Sequence, residues 1–141
     1  MAANQQKAKI MNDQNSPFGK IIYTYSRKQA LADGIQVDVS ESARQAGIKY
    51  PTFLTRAVFD AYVTVPPDVF DQEWRARLWD IMWVTRHAIQ KSEPGADRIV
   101  VELFVRNDNR KPRLVKLVAV CSALDINDAT PAITILLPDE D

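Results

Sequence analysis

Few side chains in this sequence can act as nucleophiles or proton shuttles. His87 is the only histidine and Cys121 the only cysteine. His87 falls on the polar side of a long helical pattern, which favours a solvated histidine, and one histidine cannot build a His-rich metal site. Cys121 ends an apolar run, where a cysteine usually acts as a small buried apolar residue. No stretch resembles a Walker loop, a Gly-x-Ser-x-Gly elbow or a Cys-x-x-Cys pair.

Carboxylates offer a second route to chemistry. Asp33, Asp38 and Glu41 lie close together around a short apolar–polar alternation. Because paired carboxylates can perform acid–base catalysis or hold a divalent ion, a small nucleotide- or metal-binding enzyme is one alternative. Ordinary turn and cap chemistry explains the same residues. The oxygen-rich stretch 125–128 lacks the glycine and the glutamate of an EF-hand loop. These patterns favour a protein with no catalytic residue, metal or cofactor.

A basic cluster is the strongest electrostatic feature. Its five cations are Arg106, Arg110, Lys111, Arg113 and Lys116. Only Asp108 accompanies them, and the flanking apolar runs predict that they lie at the tip of a hairpin. A basic hairpin can follow a phosphate backbone, so a nucleic-acid-binding module is a second alternative. A solvated hairpin is the plainer explanation, because Lys and Arg also protect strand ends from unwanted pairing.

The stretch 71–91 contains all three tryptophans and the longest helical pattern in the chain. At about 100° per residue, one apolar stripe forms the side that should pack on a core. This stripe consists of Trp74, Leu78, Ile81, Met82, Thr85, Ala88 and Ile89.

Two of the tryptophans do not belong to that stripe. Trp79 and Trp83 lie one turn apart on another flank, beside Arg75 and Arg86. Either a second layer of the same domain covers this flank, or the flank is a surface for a partner. Trp and Arg are enriched among the anchors of protein interfaces, which supports the second explanation.

Length and composition indicate one domain of ordinary size. The chain has 141 residues, of which 46% are hydrophobic and 26% charged, as in soluble globular proteins. No apolar run is long enough for a membrane span, and no secretory signal is visible. A single cysteine is consistent with a reducing cytoplasm, which is where we expect the protein. The net charge of zero argues against a general nucleic-acid binder.

The pattern of elements predicts an α+β domain. We expect a flexible leader over 1–17 and a single domain over 18–141. Short helices should follow Ser26 and Ser40, a third should span 52–62, and strand-like segments occur at 18–25 and 35–39. Three strands close the chain at 98–106, 112–121 and 132–137. The predicted fold places the N-terminal helices and the long central helix on a three-strand antiparallel sheet, to which 35–39 can add an edge strand.

Four stretches resemble an uncharacterised family of small bacterial proteins. They are IIYTYSRKQALADGIQVDVSESARQAGIKYP, LTRAV, RLWDIMW and ITILLPDED. The family's pattern has Y-T-R-x-Q-A-x-A-D-G-x-L-V-D-V-S in the first block, from which Ser26 and Gln36 depart. The resemblance implies an accessory protein of plasmids, prophages or integrative elements, a setting in which inhibitors of host defence are common. It implies no activity and no catalytic residue.

The leading hypothesis from the sequence is therefore a non-enzymatic protein that docks on another protein. Its predicted contact residues are Trp79, Trp83, Arg75 and Arg86. A homodimer would also suit this flank and the sheet edges. We expect no association with membranes.

Overall fold

A computed structural model describes residues 25–140 of the chain. The predicted leader, and all but the last residue of the predicted strand 18–25, lie outside these residues. The helical elements are α1 (Arg27–Ala32), α2 (Ser40–Gln45), α3 (Arg56–Val58) with a π-helical turn (Phe59–Val63), α4 (Trp74–Lys91) and a 3-10 turn (Pro138–Glu140). The strands are β1 (Gln36–Asp38), β2 (Thr52–Thr55), β3 (Arg98–Val105), β4 (Arg113–Asp125) and β5 (Asp128–Leu136).

The α+β class is confirmed, but the predicted three-strand antiparallel sheet is wrong. The described residues form a five-stranded mixed sheet with the order β1-β2-β5-β4-β3. The three C-terminal strands make an antiparallel meander, as predicted. The additional strand β2 pairs in parallel with β5, so that Thr52 lies opposite Ile133, and antiparallel with β1 at the edge.

The predicted helix over 52–62 is wrong in its first third. Thr52, Phe53 and Leu54 are buried in β2, and helical structure begins only at Arg56. The side chain of Thr55 accepts a hydrogen bond from the amide of Val58 and caps this helix. The apolar spacing fits a helix, but pairing with β5 satisfies the backbone of these residues in a buried sheet.

One face of the sheet packs against α4 and forms the core. Alternate residues of the strands point to this face, and these include Leu54, Val101, Leu103, Leu117, Ala119, Ile133 and Ile135. Helix α4 contributes Leu78, Ile81, Met82 and Thr85, all buried as the helical phase predicted. The helical phase also placed Trp74 in the core stripe, and this prediction is wrong, because Trp74 is 42% exposed at the first position of the helix.

Helix α1 lies on the opposite face of the sheet. The guanidinium of Arg27 lies 4.2 Å from the ring centroid of Phe53 and donates to the hydroxyl of Thr134 at 2.6 Å. Phe53 and Thr134 are register partners on the face that points away from α4. The carboxylate of Asp125 accepts from the first two amides of α1, those of Arg27 and Lys28, at 3.0 Å each. A side chain nearly one hundred residues away therefore caps this short helix.

None of the helices in the described range is long and apolar enough to cross a lipid bilayer.

Candidate functional site

The outer flank of α4 carries a row of three aromatic rings in contact with one another. Trp79 and Trp83 have ring centroids 5.8 Å apart and an interplanar angle of 18°. His87 continues the row, with its centroid 4.6 Å from that of Trp83 at an angle of 62°. The three rings are four residues apart, so each lies one turn above the last. We call Trp79, Trp83 and His87, with the flanking Arg75 and Arg86, the tryptophan surface.

The two tryptophans of this surface are exposed. Trp79 is 39% and Trp83 is 43% accessible, although each ring is in contact with its neighbour. The N-terminal helices do not bury them, which was the alternative left open by the sequence. The Nδ1 atom of His87 lies 2.9 Å from the carbonyl oxygen of Trp83. Because a carbonyl only accepts, this geometry requires the proton on Nδ1 and fixes the ring against the helix.

The two predicted arginines have different positions. The guanidinium of Arg86 lies 5.6 Å from the ring centroid of Trp83, within the range of a cation–π contact. Arg75 instead lies 4.5 Å from the centroid of Trp74, one turn before Trp79. The structure thus brings Trp79, Trp83 and Arg86 together, and it places Arg75 at the beginning of the same helix.

The basic hairpin is less available for a ligand than its sequence indicates. Arg106 turns inward, where it donates to the carbonyl oxygen of Phe70, to that of Asp108 at 3.1 Å and to the side chain of Asn109 at 3.3 Å. The guanidinium therefore holds the loop between β3 and β4 in place. Because its hydrogen bonds go to groups of the protein, this guanidinium is less available to a ligand.

Two further cations of the hairpin have acidic partners. Arg113 lies 3.2 Å from a carboxylate oxygen of Asp108, and Lys116 lies 3.8 Å from one of Glu102 on the adjacent strand. Both pairs are exposed, so their energetic contribution is small, but each lowers the local positive charge. Among the described residues, three cations of the cluster have no acidic partner: Arg106, which is hydrogen-bonded to carbonyl and amide oxygens, and Arg110 and Lys111.

A buried arginine that the sequence did not single out fastens α4 to this loop. Arg77 is 5% exposed and donates to the carbonyl oxygens of Tyr62 at 3.0 Å and Arg106 at 2.8 Å. It also donates to the side chains of Gln72 at 3.2 Å and Asn107 at 2.5 Å. Burial lowers the pKa of Arg77 from its ordinary value, and the charge of Arg106 lowers it further. The helical phase places Arg77 at the border of the core stripe, which was the available signal.

Arg77 also lines a cavity of about 210 Å³ together with Asp80. Desolvation raises the pKa of the Asp80 carboxyl above its usual range. An acid with a raised pKa beside an arginine is a combination found in active sites. Here the four hydrogen bonds of Arg77 go to protein groups, so its guanidinium is a structural element of the cavity wall.

The asparagines of the same loop are a second feature that the sequence analysis missed. Asn107 donates to the carbonyl oxygen of Ala61 at 2.9 Å, and Asn109 donates to that of Asp68 at 2.7 Å. Asn109 also accepts from the amide of Phe70 at 2.8 Å. The side chains of Asn107 and Asn109 thus connect the hairpin loop to the segment before α4.

The three carboxylates of the enzyme alternative engage separate local partners. Asp33 accepts from the hydroxyl of Tyr25, and Asp38 accepts from the amide of Ser40 at 2.9 Å. Glu41 pairs with Arg44 along α2. Over residues 25–140, no group of three or more His, Cys, Asp or Glu side chains has the arrangement of a metal site.

The acidic stretch 125–128 is the turn between β4 and β5. Three backbone amides donate to Asp125, and they lower the pKa of its carboxyl below the usual range, that of Ile126 having the largest effect. The hydroxyl and the amide of Thr130 lower the pKa of Asp128 in the same way. These carboxylates are therefore occupied by protein donors.

Comparison of the chain with protein-family models, with curated proteins and with solved structures found no match.

Proposed function

We propose that this protein acts without catalysis, by docking on another protein through the tryptophan surface. The observation that carries the proposal is the exposure of two stacked indoles on a rigid helix. An indole buries about 150–250 Å² when it is covered, so two of them side by side provide a large apolar contact area. Side chains held in place before binding lose little conformational entropy in a complex.

The arrangement of the rings favours a protein over a nucleic acid. Trp79 and Trp83 stack on each other, and Trp83 also contacts His87 and Arg86. One face of each indole is thus used by the other indole and is not available for stacking with a nucleobase. The exposed parts of the two indoles can pack against apolar side chains of a protein partner.

The charges on the flank indicate an acidic partner. At about 100° per residue, Arg75 and Arg86 lie on the same side of the line that joins Trp79 and Trp83. Over the described residues, Arg86 forms no ion pair, and Arg75 lies 3.8 Å from an exposed carboxylate oxygen of Glu73. A partner with carboxylates beside an apolar patch would match both features. The resemblance to proteins of mobile elements supports a component of host defence as that partner.

Affinity capture from a bacterial lysate with matched variants tests this proposal. The double variant Trp79→Ala/Trp83→Ala should lose a partner that the natural chain retains. Phe104→Ala is the control, because Phe104 is a large exposed aromatic residue, at 69%, that lies on β3 and outside the surface. Circular dichroism verifies that each variant is folded. If the folded double variant captures the same proteins as the natural chain, the surface is not the docking site.

Light scattering on the purified protein distinguishes a homodimer from a complex with another protein. A dimer that dissociates in the Trp79→Ala/Trp83→Ala variant would make a second copy of the chain the partner. We expect a monomer, because an antiparallel pairing of two such flanks would bring Arg75 and Arg86 of both copies close to one another.

Nucleic-acid binding through the hairpin is the second candidate, and the exposed side chains of Arg110 and Lys111 are the observation that favours it. Binding to a labelled duplex should then decrease with salt and weaken in Arg110→Ala/Lys111→Ala. Absence of salt-dependent binding would exclude this candidate.

A further inference from the structure

A cavity of about 260 Å³ opens between the C-terminal end of α4 and the sheet. Aliphatic and small side chains from the helix and from three strands form its wall, and these are Ile89, Ile99, Ala119, Cys121 and Ile133. Residues 94–96, in the turn after α4, close it on one side. Water has few hydrogen-bond partners on such a wall, so an apolar ligand would displace it readily.

A second cavity of about 290 Å³ adjoins the first. Both are lined by Tyr50, Ile89 and Ile133, so the two cavities lie side by side, and we call them together the groove. Tyr50 is 46% exposed at their junction. Each cavity is slightly below the volume of about 300–1,000 Å³ that is usual for small-molecule sites.

The two ends of the groove differ in charge. Lys49 and Arg86 line the second cavity, whereas Glu93 lines the first at its outer rim. Over residues 25–140, neither Lys49 nor Arg86 forms an ion pair with a carboxylate. The second cavity therefore has two cations available for an anion, and the acidic rim disfavours an anion at the other end.

Gly47 permits the position of Arg86. A Cβ atom at residue 47 would lie 2.6 Å from Nε of Arg86, far inside van der Waals contact. The φ angle of Gly47 is +98°, which side-chain-bearing residues rarely adopt. Glycine at this position thus allows the arginine to lie across the end of α2 and reach the groove.

We propose that the groove is a binding site for a small aliphatic carboxylate. The aliphatic chain would occupy the cavity lined by Ile99, Ala119 and Cys121, and the carboxylate would pair with Lys49 and Arg86 at the opposite end. Apolar walls with a few convergent charged groups are the usual composition of a ligand site. Arg86 belongs to both this groove and the tryptophan surface, since its guanidinium also lies over the ring of Trp83.

Calorimetric titration with three eight-carbon compounds tests the chemistry of the head group. Octanoate should bind at least tenfold more tightly than octylammonium, with 1-octanol between them. From hexanoate to decanoate, affinity should rise about fourfold per methylene until the cavity is full, since each buried methylene contributes about 0.8 kcal/mol. Equal affinity for octanoate and octylammonium, or no dependence on chain length, would overturn the proposal.

Variants locate the site. Lys49→Gln/Arg86→Gln should reduce the affinity for octanoate to that for 1-octanol. Phe104→Ala, which changes an exposed side chain of β3 outside the groove, should leave it unchanged. Cys121→Phe fills the apolar cavity and should abolish binding of both compounds, whereas Cys121→Ser should retain it. Octanoate binding that survives in a folded Cys121→Phe variant places the ligand elsewhere and refutes the site.

A measurement on the natural chain avoids the risk that a variant fails to fold. Cys121 is the only cysteine, so the rate at which a thiol reagent modifies the protein reports on this cavity alone. Saturating octanoate should slow the reaction at least fivefold, and octylammonium should not at the same concentration. A rate unaffected by octanoate contradicts the proposal.

Discussion

The buried guanidinium of Arg77 provides the most direct test of how this fold is held together. Its four hydrogen bonds go to two backbone carbonyls and two amide side chains, at 2.5 to 3.2 Å. The substitution Arg77→Met keeps an unbranched apolar stem but is shorter than arginine, so a small cavity adds to its effect. It removes all four donors at once.

The expected loss follows from the acceptors that remain. The carbonyl oxygens of Tyr62 and Arg106 each lose a donor, and an unsatisfied buried polar group costs about 1–3 kcal/mol. Relief from burying a charge without a carboxylate partner offsets part of this sum, as the lowered pKa of Arg77 indicates. We therefore expect Arg77→Met to lower the free energy of unfolding by about 2–4 kcal/mol, a large fraction of the roughly 5–15 kcal/mol typical of a domain.

Urea denaturation followed by circular dichroism measures this loss. Arg75→Met is the matched control, because Arg75 is exposed on the same helix and its ion pair with Glu73 is at the surface. We expect less than about 0.5 kcal/mol for the control. Hydrogen exchange at the amides of Asn107 and Asn109 should accelerate only in Arg77→Met. If the two variants lose similar stability, the network around Arg77 does not hold α4 to the loop.

Three further predictions concern single positions. The natural chain should lose stability on acidification through Asp125, and Asp125→Asn should remove this part of the loss. The folded-state pKa of Asp125 is depressed, so its contribution to stability is present above about pH 4 and lost as pH falls through the folded pKa. Melting temperatures of both proteins between pH 2 and 7 measure the difference, and the same pH profile in both would contradict the capping of α1. Thr85→Val should raise the free energy of unfolding, measured in urea, by about 1 kcal/mol, because the buried Thr85 hydroxyl has no hydrogen-bond partner in the described part of the chain. A variant less stable than the natural chain would show that the hydroxyl does have a hydrogen-bond partner. Gly47→Ala should lower the free energy of unfolding by at least about 1 kcal/mol through strain at positive φ. Gly34→Ala is the control, because Gly34 also has a positive φ but its Cβ would meet no atom within 4 Å. The extra loss in Gly47→Ala then measures the clash with Arg86.

Local patterns predicted the elements whose partners are near in sequence. The alternation in 98–106 and 112–121, with a polar loop between them, led to the hairpin of β3 and β4. The 3.6-residue period placed Leu78, Ile81 and Met82 in the core. In both cases one short segment contains the turn chemistry and the apolar spacing that determine the structure.

Long-range pairing explains where the sequence was misleading. The spacing of Leu54, Val58 and Tyr62 suits a helix, yet Thr52 pairs with Ile133 about eighty residues later. The same holds for α1, whose first turn is capped by Asp125. No local pattern contains these partners. A parallel pairing in particular requires a long crossover, here the segment that contains α4, and so becomes visible only in the folded chain.

The exposure of the tryptophan surface follows from the distribution of helices between the two faces of the sheet. Helix α1 packs near Phe53 on the face away from α4, so it cannot reach Trp79 or Trp83. Helix α2 lies on the same side as α4 but has six residues, about 9 Å of helix against about 27 Å for the eighteen residues of α4. It covers the helix where Arg86 meets Gly47, and it is too short to extend along the rest of the flank. The phase of the sequence separated Trp79 and Trp83 from the core stripe, and the shortness of α2 leaves them uncovered. Because Trp79 and Trp83 lie outside the buried core of the described residues, we expect their substitution to test docking while the core stays intact.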